Sequence, residues 1–184
     1  VRKQILKFDD VMDRQRNTIY ELRNRILFLR DIDDKVKEII DDIIAHTMKT
    51  FFPTGKFEPE TDDLSQCDAH LQQIFPLPEI KTVLAEKKTV SGLTKQFSQM
   101  FYDLYETRKA AAPKEIFETL VVKRILIGTV DRHWMDHLHN MDVLREGIGL
   151  RAYGQRDPLI EYKREGFDMF YDMLHQTYSE SMSF

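Results

Sequence analysis

Apolar residues recur along the first fifty positions at alternating spacings of three and four. Of positions 5, 8, 12, 15, 19, 22, 26, 29, 33, 36, 40, 43 and 47, ten are apolar: Ile5, Phe8, Met12, Ile19, Leu22, Ile26, Leu29, Val36, Ile40 and Ile43. Gln15, Asp33 and Thr47 interrupt the seam. Heptad spacing predicts a long helix lying against other helices. The first Gly or Pro is Pro53, so no residue upstream forces a break. A single helix of about 48 residues would be roughly 70 Å long at 1.5 Å per residue. Such a helix is a strut, and part of its seam is expected to need a partner outside the chain.

Residues 53–113 have a different texture, punctuated by Pro53, Pro59, Pro76, Pro78 and Pro113. Short helices are expected near 61–74 and 79–88, and a longer one near 90–112. Phe97, Met100, Phe101, Leu104 and Tyr105 fall on one face of the longer helix. Pro113 suits the first turn of the next helix, where its missing N–H does no harm. That helix carries Ile116, Leu120, Lys123, Ile127, Val130, Trp134, Leu138, Met141 and Leu144, and Gly147-Ile148-Gly149 is expected to end it. Leu150 to Arg156 reads as a short loop. Asp157 as N-cap and Pro158 at the first position restart a helix bearing Tyr162, Phe167, Phe170, Met173 and Leu174. A short connection makes the two helices antiparallel, a hairpin with a small tip. The fold class is all-α.

Composition adds exclusions. The chain has 184 residues, 42% hydrophobic and 32% charged, which places it among charge-rich globular proteins. Seven glycines are few for an all-β fold. A formal charge of -4, from 27 basic and 31 acidic residues, provides no bulk attraction to nucleic acid or anionic lipid. One cysteine, Cys67, excludes an internal disulfide framework and a zinc ribbon. No apolar run is long enough for a transmembrane segment, and no signal-peptide pattern opens the chain. A helical pattern already running at Val1 suggests a piece of a longer protein.

Catalytic signatures are absent. Gly55-Lys56 lacks the upstream glycine of a phosphate-binding loop, and neither a G-x-G-x-x-G nor a G-x-S-x-G pattern occurs. Cys67 reads as an ordinary cysteine. His133 and His137 are four apart and can share a helix face, but Trp134 stands where the general-base Glu of H-E-x-x-H would be. Both read as histidines on the polar flank of an amphipathic helix, so no metal is expected. The hairpin tip is the least ordinary feature. Arg151, Tyr153, Gln155 and Arg156 place two cations, a tyrosine and an amide at the end of a long lever. Tyrosine offers a rigid amphipathic surface that suits many partners, and arginine bonds carbonyls and carboxylates.

Two blocks carry a family resemblance. One is Arg2-Lys3-Gln4-Ile5-Leu6-Lys7-Phe8-Asp9-Asp10-Val11, continuing through Gln15-Arg16 and Ile19-Tyr20. The other begins at Trp134 and His137-Leu138. It runs through Met141-Asp142-Val143-Leu144-Arg145-Glu146-Gly147-Ile148 and Leu150-Arg151-Ala152-Tyr153-Gly154-Gln155-Arg156-Asp157-Pro158, and ends with Glu161-Tyr162-Lys163-Arg164-Glu165 and Phe167. With these the chain resembles the C-terminal part of SecA, the bacterial ATP-driven preprotein translocase motors. The resemblance implies that residues 1–49 are the long helix of the helical scaffold domain. It makes residues 50–113 the helical wing domain, and residues 114–184 the returning scaffold helices and the two-helix finger, a regulator of ATP hydrolysis.

By the same resemblance, the finger tip enters the SecY channel and touches the unfolded preprotein. Tyr153 matches the family's tip tyrosine, flanked by Arg151, Gln155 and Arg156. Trp134, with Ile19, Leu22 and Ile26, is expected to pack the finger's first helix against the scaffold helix. The motor domains that bind ATP and magnesium are missing, so this piece is expected to be non-catalytic and to hold no cofactor. The Cys-rich zinc tail that often follows in the family is not part of this sequence, so no zinc is expected in it, and the SecB chaperone binding that resides in that tail is not implied for it. The implied partners are the remaining SecA domains, the SecYEG channel and the preprotein. The implied location is the bacterial cytoplasm and the cytoplasmic face of the inner membrane. A free-standing helical adaptor, joining partner helices through the apolar seam, is the alternative reading.

Overall fold

The computed structural model describes residues 2–28, 32–56, 64–77, 80, 83, 89–151 and 157–183. Among these residues there are helices and no strands, as the apolar periodicity predicts. The helices are α1 (Arg2–Phe28), α2 (Asp33–Phe51), α3 (Leu64–Ile74), α4 (Val90–Ala110), a π-helix (Ile116–Lys123), α5 (Arg124–Arg151) and α6 (Pro158–Met182). Most of the expected 79–88 helix lies outside the described residues; Ile80 and Val83 are helical and buried.

The single 48-residue strut does not form. Ile32 lies outside both α1 and α2, and α2 restarts at Asp33. Asp33 and Asp34 occupy the first turn of α2. Carboxylates there favour a helix start, because they face the positive end of the helix dipole. Of the seam, Ile19, Leu22, Ile26, Val36, Ile40 and Ile43 are buried, and Phe8 and Met12 are half-buried.

Two helix ends follow the expected chemistry. Asp157 caps α6 by accepting the Leu159 N–H at 2.8 Å. Thr89 caps α4 by accepting the Gly92 N–H at 3.2 Å. Two expectations fail. Gly147 and Gly149 do not end α5, which continues to Arg151; a glycine in a helix costs only about 1 kcal/mol, and packing overrides it. The stretch 116–123 is π rather than α, and Ile116 at its start is 48% exposed.

The chain divides into two compact units. Unit 1 comprises Val1–Arg30 and Leu126–Thr177; unit 2 comprises Asp31–Ile125 and Tyr178–Phe184. In unit 2, α2 packs on α3 and α4. Val36, Ile39, Ile40, Ile43 and Ile44 of α2 are buried with Leu71, Phe97 and Phe101. Each such side chain contributes about 1.5–3 kcal/mol by leaving water. Phe75 stacks on Phe101 at 3.8 Å between ring centroids, and Phe101 on Phe97 at 6.1 Å. Cys67 is wholly buried, and burial pushes its thiol up to about 12; it is inert, as an ordinary core cysteine should be.

Polar anchors fix the register of α2 against α4. Asp33 accepts from the Tyr105 hydroxyl at 2.8 Å and from the Lys109 ammonium. Asp41 accepts from the Ser98 hydroxyl at 2.7 Å. Burial would raise the Asp33 carboxyl, but the Lys109 and Tyr105 hydrogen bonds outweigh it and hold the group below its ordinary value. Replacing Asp33 with Ala leaves both donors without this acceptor. The expected loss is about 1–3 kcal/mol, read as faster amide exchange across α2 and α4 than in the wild type.

Candidate functional site

The hairpin belongs to unit 1, and its register is visible in side-chain pairs. Met141, Leu144 and Ile148 of α5 cluster with Tyr162 of α6. Further along, the His137 ring lies 5.5 Å from Phe170 and the Trp134 ring 6.4 Å from Phe170. As α5 is followed back toward its start, partners on α6 run toward its end, so the two helices are antiparallel. The expected tip falls between Arg151, the last residue of α5, and Pro158, the first of α6. Tyr153, Gln155 and Arg156 lie outside the described residues.

Helix α1 completes a three-helix arrangement. Phe8 meets Tyr162 edge-on at 4.8 Å. Asp9 pairs with Arg145 at 3.3 Å, and Asp131 pairs with Arg23 at 2.6 Å. Thus α1 runs along α6 and against α5. Trp134, Ile19, Leu22 and Ile26 are all buried; the ring partners of Trp134 are His137, at 5.6 Å, and Phe170.

The centre of this arrangement is polar. The Gln15 amide nitrogen donates to the Gly166 carbonyl at 2.8 Å. The Gln15 amide oxygen stands 2.9 Å from His137 Nε2. One amide orientation satisfies both contacts, and it makes Nε2 the protonated, donating nitrogen of His137. A single side chain of α1 therefore bonds both helices of the hairpin. Gly166 allows the close approach: a Cβ there would stand 2.8 Å from Met141 Cε and 3.3 Å from its sulfur. His137 is 2% exposed, and burial pulls its imidazole down to about 4.

These residues were not legible as a site. Gln15 stood out only as a gap in the apolar seam. His137 was expected on a polar flank and is buried instead. Val130, Trp134, Met141 and Leu144 of the expected α5 stripe are buried, but Leu126 and His137 are buried where Ile127 and Leu138 were expected, and Thr129 and Ile148 join them. Phe167, expected inward, is 65% exposed, and Gly166 takes the inward position. The His133–His137 pairing does not build a metal site. Nε2 of His137 is engaged by Gln15, and among the described residues no group of three His, Cys, Asp or Glu side chains could hold a metal ion.

Two grooves flank the Gln15 contact. One, of about 350 Å³, lies between α1 and α6 and is lined by Val11, Arg14, Lys163, Phe167 and Phe170 among others. The other, of about 380 Å³, lies between α5 and α6 beside His133, Asp136, Asn140, Asp172 and Gln176. Neither places a nucleophile beside a base.

Fold and site together define a helical scaffold: packed helices that hold a hairpin by a buried polar contact. The chain belongs to the SecA family, and residues 1–184 match the SecA wing and scaffold domain. It is 38% identical over 176 residues to the protein translocase subunit SecA of Rickettsia rickettsii (strain Sheila Smith), covering 95% of this chain and 19% of that protein. It is 36% identical over 191 residues to the protein translocase subunit SecA 1 of Thermobifida fusca (strain YX), covering 100% of this chain and 19% of the relative. Against the protein translocase subunit SecA of Nocardioides sp. the identity is 39% over 191 residues, covering 100% of this chain and 20% of the relative. The chain thus spans about a fifth of the length of these relatives.

Two measurements probe the Gln15 contact. Gln15→Leu strands the Gly166 carbonyl and the His137 N–H, each costing about 1–3 kcal/mol. A loss of about 3 kcal/mol is expected in urea unfolding followed by Trp134, the one tryptophan. The second concerns pH. The unfolded chain takes up a proton at His137 near pH 6.5, and the folded chain refuses it until about 4. Between these values the unfolded state holds more protons, so stability is full above pH 6.5 and falls as pH drops toward 4. The expected loss across the window is of order 3 kcal/mol. Unfolding curves at pH 7 and 5 should differ more for the wild type than for His137→Phe.

Proposed function

We propose that this chain is a non-catalytic module of a SecA-type, ATP-driven protein translocase. It couples the ATPase motor to preprotein movement through the SecY channel and restrains ATP hydrolysis. The observation that carries this reading is the match to the SecA wing and scaffold domain over residues 1–184. In this reading residues 1–49 belong to the helical scaffold, 50–113 to the helical wing, and 114–184 to the returning scaffold helices and two-helix finger. Arg151, Tyr153, Gln155 and Arg156 form the tip that meets channel and substrate. Trp134, Ile19, Leu22 and Ile26 supply the packing through which the finger feels the scaffold. ATP and magnesium act on the motor domains, and this module takes no cofactor.

The Gln15 contact supports the coupling role. Force transmission needs an element that cannot slide along its neighbours. A buried amide bonded to both hairpin helices resists sliding, because displacement leaves buried polar groups unpaired. The proposed location is the bacterial cytoplasm and the cytoplasmic face of the inner membrane. No helix among the described residues is long and apolar enough to cross a membrane, which fits peripheral attachment.

The direct test is to titrate the chain into the complementary motor portion of a SecA protein and follow ATP hydrolysis. Suppression that saturates at one chain per motor is expected. Unchanged hydrolysis despite demonstrated binding would remove the regulatory role. In the whole motor, Tyr153→Ala should leave the helical signal intact and slow preprotein transport severalfold. Transport at the wild-type rate would refute the tip assignment.

A further inference from the structure

Helix α6 is apolar on two sides. One seam runs through Tyr162, Gly166, Met169 and Met173, at spacings of four, three and four, and packs within unit 1. A second seam starts two residues earlier. Positions 160, 164, 167, 171 and 174 hold Ile160, Arg164, Phe167, Tyr171 and Leu174. A shift of two residues places it about 200° around the helix from the first. This second seam faces out: Ile160 is 62%, Phe167 65% and Tyr171 44% exposed. The Phe167 and Tyr171 rings stack on each other, 6.4 Å between centroids. Single apolar residues on a surface need no explanation. Four in heptad register on one helix are the pattern by which helices pack on helices.

The groove of about 350 Å³ between α1 and α6 lies beside this seam. Val11, Phe167 and Phe170 give it an apolar lining, and Arg14 and Lys163 add two cations. Arg14 is held by Asp10 at 3.0 Å. Lys163 is exposed and has no ion-pair partner among the described residues. Asp168, the acid next to Phe167, does not line the groove.

We infer that this face of unit 1 docks an amphipathic helix of a second protein, apolar at heptad spacing and acidic along the edge that meets Lys163. The spacing selects a helix, because residues seven apart on α6 are met by residues seven apart on another helix. The charge selects its polarity. A carboxylate opposite Lys163 pairs a cation that has no partner, whereas an ammonium there meets like charge. One apolar side chain of the partner seats in the groove against Val11 and Phe170. This inference goes beyond the translocase reading and does not depend on it.

Two labelled three-heptad peptides test it, with the same Leu positions but flanked by Glu in one and by Lys in the other. Fluorescence anisotropy with the whole chain should show the Glu peptide binding about tenfold tighter than the Lys peptide. Phe167→Ser should weaken the Glu peptide by about tenfold, and Lys163→Glu should reverse the preference. Both positions are exposed, so the helical signal and the Trp134 emission should stay as in the wild type. Equal binding of the two peptides overturns the inference. So does Glu-peptide binding that survives Phe167→Ser, or a preference that Lys163→Glu leaves in place. Two more outcomes overturn it by naming another occupant. A Glu peptide that binds the chain but not the whole motor assigns the face to another part of the same polypeptide. A dimer in sedimentation that Phe167→Ser dissolves assigns it to a second copy.

Discussion

One buried amide ties unit 1 together. Gln15 of α1 bonds the Gly166 carbonyl of α6 and His137 of α5. Apolar packing alone tolerates sliding by a turn, since one Leu or Ile resembles the next. A hydrogen-bonded side chain in a dry interior does not tolerate it, because the displaced partners cannot find water. The contact therefore selects one register for three helices. It also constrains its neighbours: Gly166 leaves room for the end of the Met141 side chain, and His137 must stay neutral to remain buried.

Unit 2 uses the same device with a charge. Asp33 occupies another interruption of the seam and gathers Tyr105 and Lys109 from α4. Its carboxylate keeps its charge because the two donors replace the lost water. Thr47, the third interruption, is buried and its hydroxyl has no hydrogen-bond partner. Two of the three gaps in the apolar pattern are thus where polar specificity is placed, and the third is a plain cost of about 1–3 kcal/mol.

The two units meet these requirements separately, each with its own apolar core and its own polar anchor.

Much of the architecture was legible in the sequence. Periodicity of three and four made the chain all-α, Asp157-Pro158 marked the start of α6, and the short connection made the hairpin antiparallel. These are local properties, set by backbone geometry and by which side chains can leave water. The break at Ile32, the π-helix at 116–123 and the continuation of α5 through Gly147 and Gly149 were not legible. At Gly147 and Gly149 packing overrides the local preference. The same holds for the site. Gln15 was visible only as a flaw in a stripe, and His137 was assigned to the wrong face. A polar residue acquires meaning from the partner it meets, and Gly166 lies 151 positions away along the chain. The sequence by itself determined which segments are helical and which faces are apolar, because those follow from neighbours three and four residues apart. Only the tertiary structure decided which polar groups are buried together, because that depends on how helices distant in sequence come into register.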